Sequence, residues 1–289
     1  MINGVLPDPR RHAYRADLAA ASLRDRVEAP RYVAGELRQV GAATLTLRRE
    51  PRFDATLDSE ALFGETVTLY DEAEGWAWVQ LNRDAYVGYM PSEGLTRNVL
   101  APTHKVTALR TYVYFEPDSK SPPLALLSLN AHLSAVGKEG NFLALASGGY
   151  VFAGHVAGVE ASAPDYVAIA EAFLGTPYLW GGRTSLGLDC SGLVQLAVEA
   201  AGLCCPRDAD MQGAELGRPI DWQEVDALAR GDLVFWEGHV GIMTGPEHLL
   251  HANAHHMAVA VEPLAQARTR IAAFGNEVLN VRRLLRDER

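Results

Sequence analysis

The sequence predicts an α+β protein in which two small all-β modules precede a domain of helices and an antiparallel sheet. From residue 31 to about residue 158, short runs alternate apolar and polar residues between turn formers, which is typical of strands. From Pro164 onward, apolar residues recur first at helical spacing and then in strand-like runs. The predicted segments are a leader (1–30), two β modules (31–98 and 99–158) and a final domain (159–289).

The composition is that of a folded, acidic protein with two or three domains. The 289 residues are 48% hydrophobic and 21% charged, which supports real cores and argues against wholesale disorder. The formal net charge of −10 disfavours the phosphate backbone of a nucleic acid and an anionic membrane surface as partners. No apolar run approaches the roughly 20 residues that a membrane-spanning helix needs. We therefore expect neither a nucleic-acid partner nor a membrane partner.

Two features of the chain predict a cytoplasmic location. Residues 1–12 have no apolar core after their charges, so they do not form a secretory signal. Three cysteines, of which Cys204 and Cys205 are adjacent, do not suggest a disulfide framework. A reducing compartment follows, unless a leader was removed from the chain.

The leader is expected to be a helical strap packed on a neighbouring domain. One face of such a helix would carry five residues: Tyr14, Leu18, Ala21, Leu23 and Val27.

The first β module shows the clearest strand pattern. Alternation predicts strands over residues 43–48, 66–70 and 76–81, with turns at 71–75 and 82–84. The second module predicts strands over residues 106–110, 111–115, 142–146 and 149–152. Several short strands at close spacing indicate small barrels or sandwiches.

The final domain begins with an amphipathic helix over residues 166–173. A second helix is expected to begin near Cys190, because apolar residues follow at helical spacing until Gly202. Residues 232–236, 239–243 and 248–251 then predict successive strands, and residues 259–261 and 281–284 further ones.

Cys190 is the candidate nucleophile. At the mouth of a helix it would lie beside unpaired backbone N–H groups, which favour a thiolate. His239 is the candidate base that takes or shares its proton. His251 would hydrogen-bond the far nitrogen of His239 and fix its tautomer. His255 and His256 fit no such pattern and are expected to be solvated.

A zinc centre is the alternative use of these side chains. Cys190, Cys204, Cys205 and the histidines lack the usual spacing of two separated ligand pairs. Adjacent cysteines do not easily turn to one ion, so we expect no metal.

Five short motifs occur in one order along the final 130 residues. They are Tyr178-Leu179-Trp180-Gly181-Gly182, Asp189-Cys190-Ser191-Gly192, Gly231-Asp232-Leu233-Val234-Phe235, Gly238-His239-Val240-Gly241-Ile242 and His251-Ala252. Together they resemble the NlpC-type cysteine peptidases, papain-like enzymes that cut bacterial cell-wall peptides. Upstream, residues 62–67, 75–79 and 86–91 resemble bacterial SH3-like domains. The resemblance implies two SH3-like barrels before a papain-like catalytic domain.

The resemblance also implies roles for residues around Cys190. Tyr178 would stabilise the tetrahedral oxyanion together with the backbone N–H of Cys190. Trp180 would form a wall of the cleft, with core packing as the alternative. Tyr86, Asp189 and, on weaker grounds, Glu50 would bind the ammonium group of an N-terminal L-alanine.

Three further side chains would surround the α-carboxylate of D-glutamate: Ser191, Arg207 and Asp208. Relatives often carry Arg-Asp-Ser where this chain has Ala209 after Asp208, so one hydroxyl contact is missing.

The implied reaction is hydrolysis of the γ-D-glutamyl–diamino acid bond in murein peptides with a free N-terminal L-alanine, in cell-wall peptide recycling. No cofactor is needed. Two alternatives remain open: an exported peptidoglycan hydrolase whose barrels bind the wall, and a catalytically dead module retained for wall attachment.

Overall fold

The computed structural model describes residues 5–221 and 228–284. The chain forms two compact units, Met1–Val159 and Glu160–Arg289. Across the described residues the structure is mostly β with four short α-helices. None of the helices found there combines the length and apolarity needed to cross a membrane.

The leader of the first unit forms a small sheet, so the expectation of a helix is wrong. Strands β1 (Tyr14–Arg15) and β2 (Leu18–Ala20) are antiparallel, and β3 (Tyr32–Val33) is parallel to β2. The predicted apolar face is nevertheless buried, since Leu18, Leu23 and Val27 pack with Trp78 of the first β module. Tertiary packing has overridden the local helical period, and the expected strap on a neighbouring module is confirmed.

The first β module is a seven-stranded sheet. Its strands are β4 (Glu36–Val40), β5 (Thr44–Arg48), β6 (Leu57–Leu62), β7 (Thr66–Ala73), β8 (Trp76–Leu81), β9 (Val87–Pro91) and β10 (Leu95–Thr96), in the order β10-β4-β7-β8-β9-β5-β6. The predicted strands are confirmed, but the turn after β7 is shorter than expected. Glu74 and Gly75 both have positive φ, as the tightest two-residue hairpin turn requires.

The second β module contains two sheets. Its strands are β11 (His104–Val106), β12 (Arg110–Tyr114), β13 (Pro123–Ser128), β14 (His132–Leu133), β15 (Ala135–Glu139), β16 (Phe142–Leu145), β17 (Tyr150–Phe152) and β18 (Val156–Gly158). Five strands pair in the order β13-β12-β17-β16-β15, and three in the order β14-β11-β18.

The second unit combines four helices with a six-stranded antiparallel sheet. The helices are α1 (Tyr166–Glu171), α2 (Cys190–Ala200), α3 (Ala209–Glu215) and α4 (Leu264–Ala272). The strands are the hairpin β19 (Arg183–Thr184) and β20 (Gly187–Leu188), then β21 (Arg218–Pro219), β22 (Asp232–Trp236), β23 (His239–Met243), β24 (His248–Asn253), β25 (Ala258–Pro263) and β26 (Asn280–Arg283). The sheet order is β21-β26-β22-β23-β24-β25. Both predicted helices and all the predicted strands of this unit are confirmed.

Helix α2 is the buried centre of the second unit. Asp189 caps it by accepting the N–H of Gly192 at 2.7 Å, and Gly202, with φ of +82°, follows its end. Nearly every residue of α2 is buried, and the helix packs against β23 and β24. Cys190 therefore begins a helix that is buried over almost its whole length.

Helix α4 covers one face of the same sheet. Leu264 and Ala267 pack with Trp236, Met243 and Leu249. Because side chains two residues apart on a strand share a face, His239, His251 and Glu262 lie on this same face.

Candidate active site

Cys190 is the first residue of α2 and is 8% exposed. Its Sγ lies 4.0 Å from the carbonyl oxygen of Gly238, beside the start of β23. Burial, and then the charge of Asp189, raise the pKa of Cys190 to about 12, although the N–H groups of Val240 and Ser191 act in the opposite direction. The expectation of a resting thiolate is therefore wrong: desolvation outweighs the helix terminus, and attack requires a base.

His239 is placed by a two-residue turn. It pairs with Trp236 across Glu237 and Gly238, and the rings of Trp236 and His239 are 5.7 Å apart. Asn276 holds the turn from both sides, because it accepts the N–H of Glu237 at 3.1 Å and donates to the carbonyl of Glu237 at 2.9 Å. The imidazole thus begins a strand whose backbone position is fixed.

His251 lies on the neighbouring strand and contacts His239 directly. A hydrogen bond of 2.8 Å joins Nε2 of His239 to Nδ1 of His251. Nδ1 of His239 is therefore the nitrogen left for a proton from Cys190. Burial and the charge of Arg270 lower the pKa of His239 to about 4, so the ring is neutral and able to act as a base at neutral pH.

Asp189 and Arg207 form a buried ion pair beneath Cys190. Arg207 is 1% exposed and donates from Nη1 and Nη2 to the two carboxylate oxygens of Asp189, at 3.0 and 2.7 Å. Asp189 also accepts the N–H groups of Gly181 and Gly192, and Arg207 donates to Ser191 Oγ at 2.8 Å. These contacts join the loop 177–182, the start of α2 and the segment before α3.

This pairing bears on two expectations. Both terminal nitrogens of Arg207 donate to Asp189, so the bidentate pairing expected toward a substrate carboxylate is already made within the protein. The expected contacts of Asp189 and Arg207 with substrate stay predictions. Both residues hold the site together from below.

Two segments of the chain match known families. Residues 175–274 match the NlpC/P60 family, and residues 47–95 match the bacterial dipeptidyl-peptidase SH3 domain. The second unit carries an NlpC/P60 cysteine peptidase domain. The first β module carries the SH3 domain.

Curated relatives match parts of both units of the chain. A γ-D-glutamyl-L-lysine dipeptidyl-peptidase from Bacillus cereus is 27% identical over an aligned length of 240 residues, and the match covers 72% of this chain and 71% of the relative. Dipeptidyl-peptidase 6 from Lysinibacillus sphaericus is 29% identical over an aligned length of 236 residues, and the match covers 73% of this chain and 86% of the relative. The crystal structure of an NlpC/P60 family protein from Bacillus cereus shares the fold, with a TM-score of 0.73 and 22% identity over 86% of this chain and all of that one.

Glu262 continues the histidine chain of the NlpC/P60 domain, and the sequence reasoning missed it. Nε2 of His251 lies 2.8 Å from Oε1 of Glu262, and Arg270 of α4 binds the same oxygen. Burial, and then the neighbouring His239, lower the pKa of His251 to about 2, so its contact with Glu262 joins a neutral imidazole to a carboxylate. The strand over 259–261 was predicted, but its register against β24, which brings Glu262 beside His251, has no sequence signal.

Tyr178 and Trp180 occupy the loop before the hairpin β19–β20. Tyr178 is half-buried, and burial together with Cys190 and Asp189 raises its pKa to about 12. Its hydroxyl therefore keeps its proton at neutral pH and is able to donate. Trp180 is 58% exposed, which rules out core packing. Asp208 directly precedes α3 as its N-cap residue.

The two remaining predicted residues belong to the first unit. Tyr86 is buried, and its N–H donates to Asp84 at 3.1 Å. Glu50 has a side chain 57% exposed and pairs with Arg52 at 2.9 Å. Their expected role toward an ammonium group stays a prediction.

The three cysteines are free thiols, of which only Cys204 is exposed. Within residues 5–221 and 228–284, one group of three side chains has ligand atoms close enough for a metal ion: His251, His256 and Glu262, within 4.8 Å of one another. It contains no cysteine, so it differs from the cysteine-containing centre considered from the sequence.

Proposed function

We propose that this NlpC/P60 peptidase hydrolyses the γ-D-glutamyl–diamino acid bond of murein peptides that begin with a free L-alanine. The observation that carries the proposal is the His239–His251 pair beside Cys190, in a chain whose relatives across both units are named γ-D-glutamyl-L-lysine dipeptidyl-peptidase. We propose cytoplasmic recycling of cell-wall peptides as the setting in which such substrates arise.

The chemistry follows from the protonation states of the resting site. Nδ1 of His239 takes the thiol proton while Sγ of Cys190 attacks the γ-carbonyl carbon of D-glutamate. The tetrahedral oxyanion receives hydrogen bonds from the backbone N–H of Cys190 and the hydroxyl of Tyr178. The intermediate collapses to a thioester as His239 returns the proton to the leaving amine of the diamino acid. Water, deprotonated by His239, then hydrolyses the thioester and restores the thiol.

We further propose that the second β module is a second SH3-like barrel and that the second unit has the papain-like layout. A helix that begins with the nucleophile and packs on an antiparallel sheet bearing both histidines supports that layout. In this scheme the ammonium group is bound by Asp189, by Tyr86 and by a further acidic side chain, for which Glu50 is the candidate.

The remaining substrate contacts are proposed for residues near α3 and in the loop 177–182. Ser191 Oγ accepts a hydrogen bond from Arg207, and Asp208 follows Arg207 in the sequence. We propose that both contact the glutamate moiety. Trp180, exposed on its loop, would form the cleft wall.

Acetylation of the substrate amine tests the specificity for a free end. L-Ala-γ-D-Glu-L-Lys and its N-acetyl form differ in one charge and a small added volume. Loss of a charge-assisted contact to a buried carboxylate costs about 2–5 kcal/mol, which corresponds to about 30- to 5,000-fold in kcat/KM. We expect a decrease in this range, with the steric clash moving it to the upper end.

The two outcomes assign the protein to different settings. A kcat/KM for the acetylated tripeptide at least about 30-fold lower supports a peptidase of released peptides. Comparable values would contradict the free-end requirement and favour an exported hydrolase that acts on peptides still attached to the wall.

A further inference from the structure

The hydrogen-bond chain of the active site does not end at His251. Nε2 of His251 lies 2.8 Å from Oε1 of Glu262, whose side chain is only 9% exposed. Arg270, near the end of α4, pairs with the same oxygen from the other side. His239, His251, Glu262 and Arg270 thus form one line of contacts that runs from the strand beside Cys190 to α4.

This line selects the tautomers of both histidines. A carboxylate only accepts hydrogen bonds, so Glu262 requires a proton on Nε2 of His251. Nδ1 of His251 must then accept, which places the proton of His239 on its Nε2. Nδ1 of His239 is left unprotonated and able to take the proton of Cys190. The reversed arrangement would put a lone pair of His251 against the carboxylate and a proton on the nitrogen meant to act as the base.

Arg270 balances the charge at the far end. An unpaired carboxylate buried beside His251 would favour a second proton on the imidazole pair, and a protonated His239 is not a base. Arg270 lowers the pKa of both histidines, after burial as the larger cause for each and, for His251, after the neighbouring His239. The guanidinium therefore opposes the effect of the carboxylate.

We propose that Glu262 and Arg270 are positioning residues of the peptidase: Glu262 selects the tautomer in which His239 acts as the base, and Arg270 keeps that base uncharged. Neither residue touches the reacting atoms. The kinetic part of the test rests on the proposed function, because it uses the proposed tripeptide as substrate.

The experiment compares Glu262→Gln, Glu262→Ala and Arg270→Gln with the wild type. Glutamine keeps an acceptor for His251 but loses the charge, whereas alanine loses both. Changes to the hydrogen-bond partners of metal-binding histidines typically cost about 10- to 100-fold in affinity or activity, and we expect an effect of that order here. We expect kcat to fall in the order wild type, Glu262→Gln, Glu262→Ala, with KM within about twofold.

The pH profile separates positioning from a structural role. Removal of the negative charge in Glu262→Gln destabilises a protonated His239, so the acid limb of kcat/KM should move to lower pH. Removal of the positive charge in Arg270→Gln should move it to higher pH. Shifts of about 0.5–1 pH unit in opposite directions are expected from charges at this range. The matched controls are Glu247→Gln, on the loop before β24, and Arg268→Gln, on α4; both residues are exposed. Neither control should move the acid limb of kcat/KM.

Alkylation of Cys190 by iodoacetamide tests the same line of hydrogen bonds without a substrate. Its rate at neutral pH should fall in the same order of variants, and it remains measurable even if the tripeptide proves to be the wrong substrate. If Glu262→Ala does not fold, Glu262→Gln and Arg270→Gln decide the matter. Unchanged kcat and alkylation rates, or acid limbs that move together or not at all, would overturn the proposal.

Discussion

At the scale of residues, the resting site is a neutral pair of thiol and imidazole. Burial raises the pKa of Cys190 to about 12 and, together with Arg270, lowers that of His239 to about 4. The helix terminus contributes roughly 1 kcal/mol or less to thiolate stability, which is smaller than the cost of burying the charge. We therefore expect proton transfer to His239 to accompany the attack.

The neutral pair predicts an unusual pH dependence. Only unprotonated His239 is a base, and its lowered pKa means that protonation begins only well below neutral pH. We expect kcat/KM to be flat from about pH 6 to 8 and half-maximal near the His239 pKa of about 4. A measurement with the tripeptide over this range checks it, with circular dichroism to exclude acid unfolding. A half-maximal point at or above the ordinary histidine pKa would contradict the neutral pair.

The two histidines should differ in how much activity they carry. His239→Ala removes the base itself, whereas His251→Ala removes the group that orients it through the 2.8 Å hydrogen bond. Single losses of a nucleophile or base in comparable triads exceed loss of the orienting group by about 10- to 100-fold. We expect the same ranking in kcat for His239→Ala and His251→Ala. Equal losses would show that the roles are assigned wrongly.

The sequence could identify these residues because each lies within a short motif of its own. Cys190 follows a capping Asp189 at a helix start, and His239 follows a turn glycine. The Arg207–Asp189 pair and Glu262 could not be found in this way, because they depend on which loops and strands become neighbours. Arg207 lies 18 residues from Asp189 in the chain, so nothing in the local sequence indicates that the two side chains pair.

At the scale of elements, the start of α2 depends on close contact with the loop 177–182. A Cβ at position 192 would lie 2.3 Å from the carbonyl oxygen of Gly182 and 2.9 Å from Oδ1 of Asp189. Both neighbours are held firmly, Gly182 by the loop backbone and Asp189 by Arg207. Only glycine fits there without a shift of the backbone that carries Cys190.

Gly192→Ala therefore sets two effects against each other. Alanine favours a helix over glycine by about 1 kcal/mol, while overpacking a fitted site typically costs about 1–3 kcal/mol. Because the 2.3 Å contact is with backbone, we expect the steric cost to dominate, with lower stability in urea unfolding and lower kcat. Gly245→Ala, at a site with no heavy atom within 4 Å, is the control and should change neither. Higher stability for Gly192→Ala would contradict the close contact.

Most elements of the chain were predictable, and the leader shows why one was not. Strands of the sheet and helices α1 and α2 follow the period of their apolar residues, as a buried face requires. In the leader the same apolar residues are buried, but as short strands and a 3-10 turn at Ala21–Leu23 packed on Trp78. A 20-residue segment with this mixture of Ala, Leu and charged residues has no local signal that distinguishes a helix from short strands. Packing against the first β module around Trp78 determines which of the two forms.

At the scale of the whole molecule, the net charge disfavours polyanions as partners, and the relatives of both units suggest a peptide substrate. A net charge of −10 disfavours polyanions, and relatives of both units are named for γ-D-glutamyl-L-lysine peptide cleavage. The reaction proposed for this chain is cleavage of an isopeptide bond through a Cys190 thioester.

The products of the tripeptide L-Ala-γ-D-Glu-L-Lys test this claim most directly. Wild type and Cys190→Ala are incubated with it, and the products are identified by mass spectrometry. We predict equal amounts of L-Ala-γ-D-Glu and free L-lysine from the wild type, and less than about one part in 1,000 of that rate from Cys190→Ala. Release of free L-alanine, an intact tripeptide, or the same products at similar rates from Cys190→Ala would contradict the account.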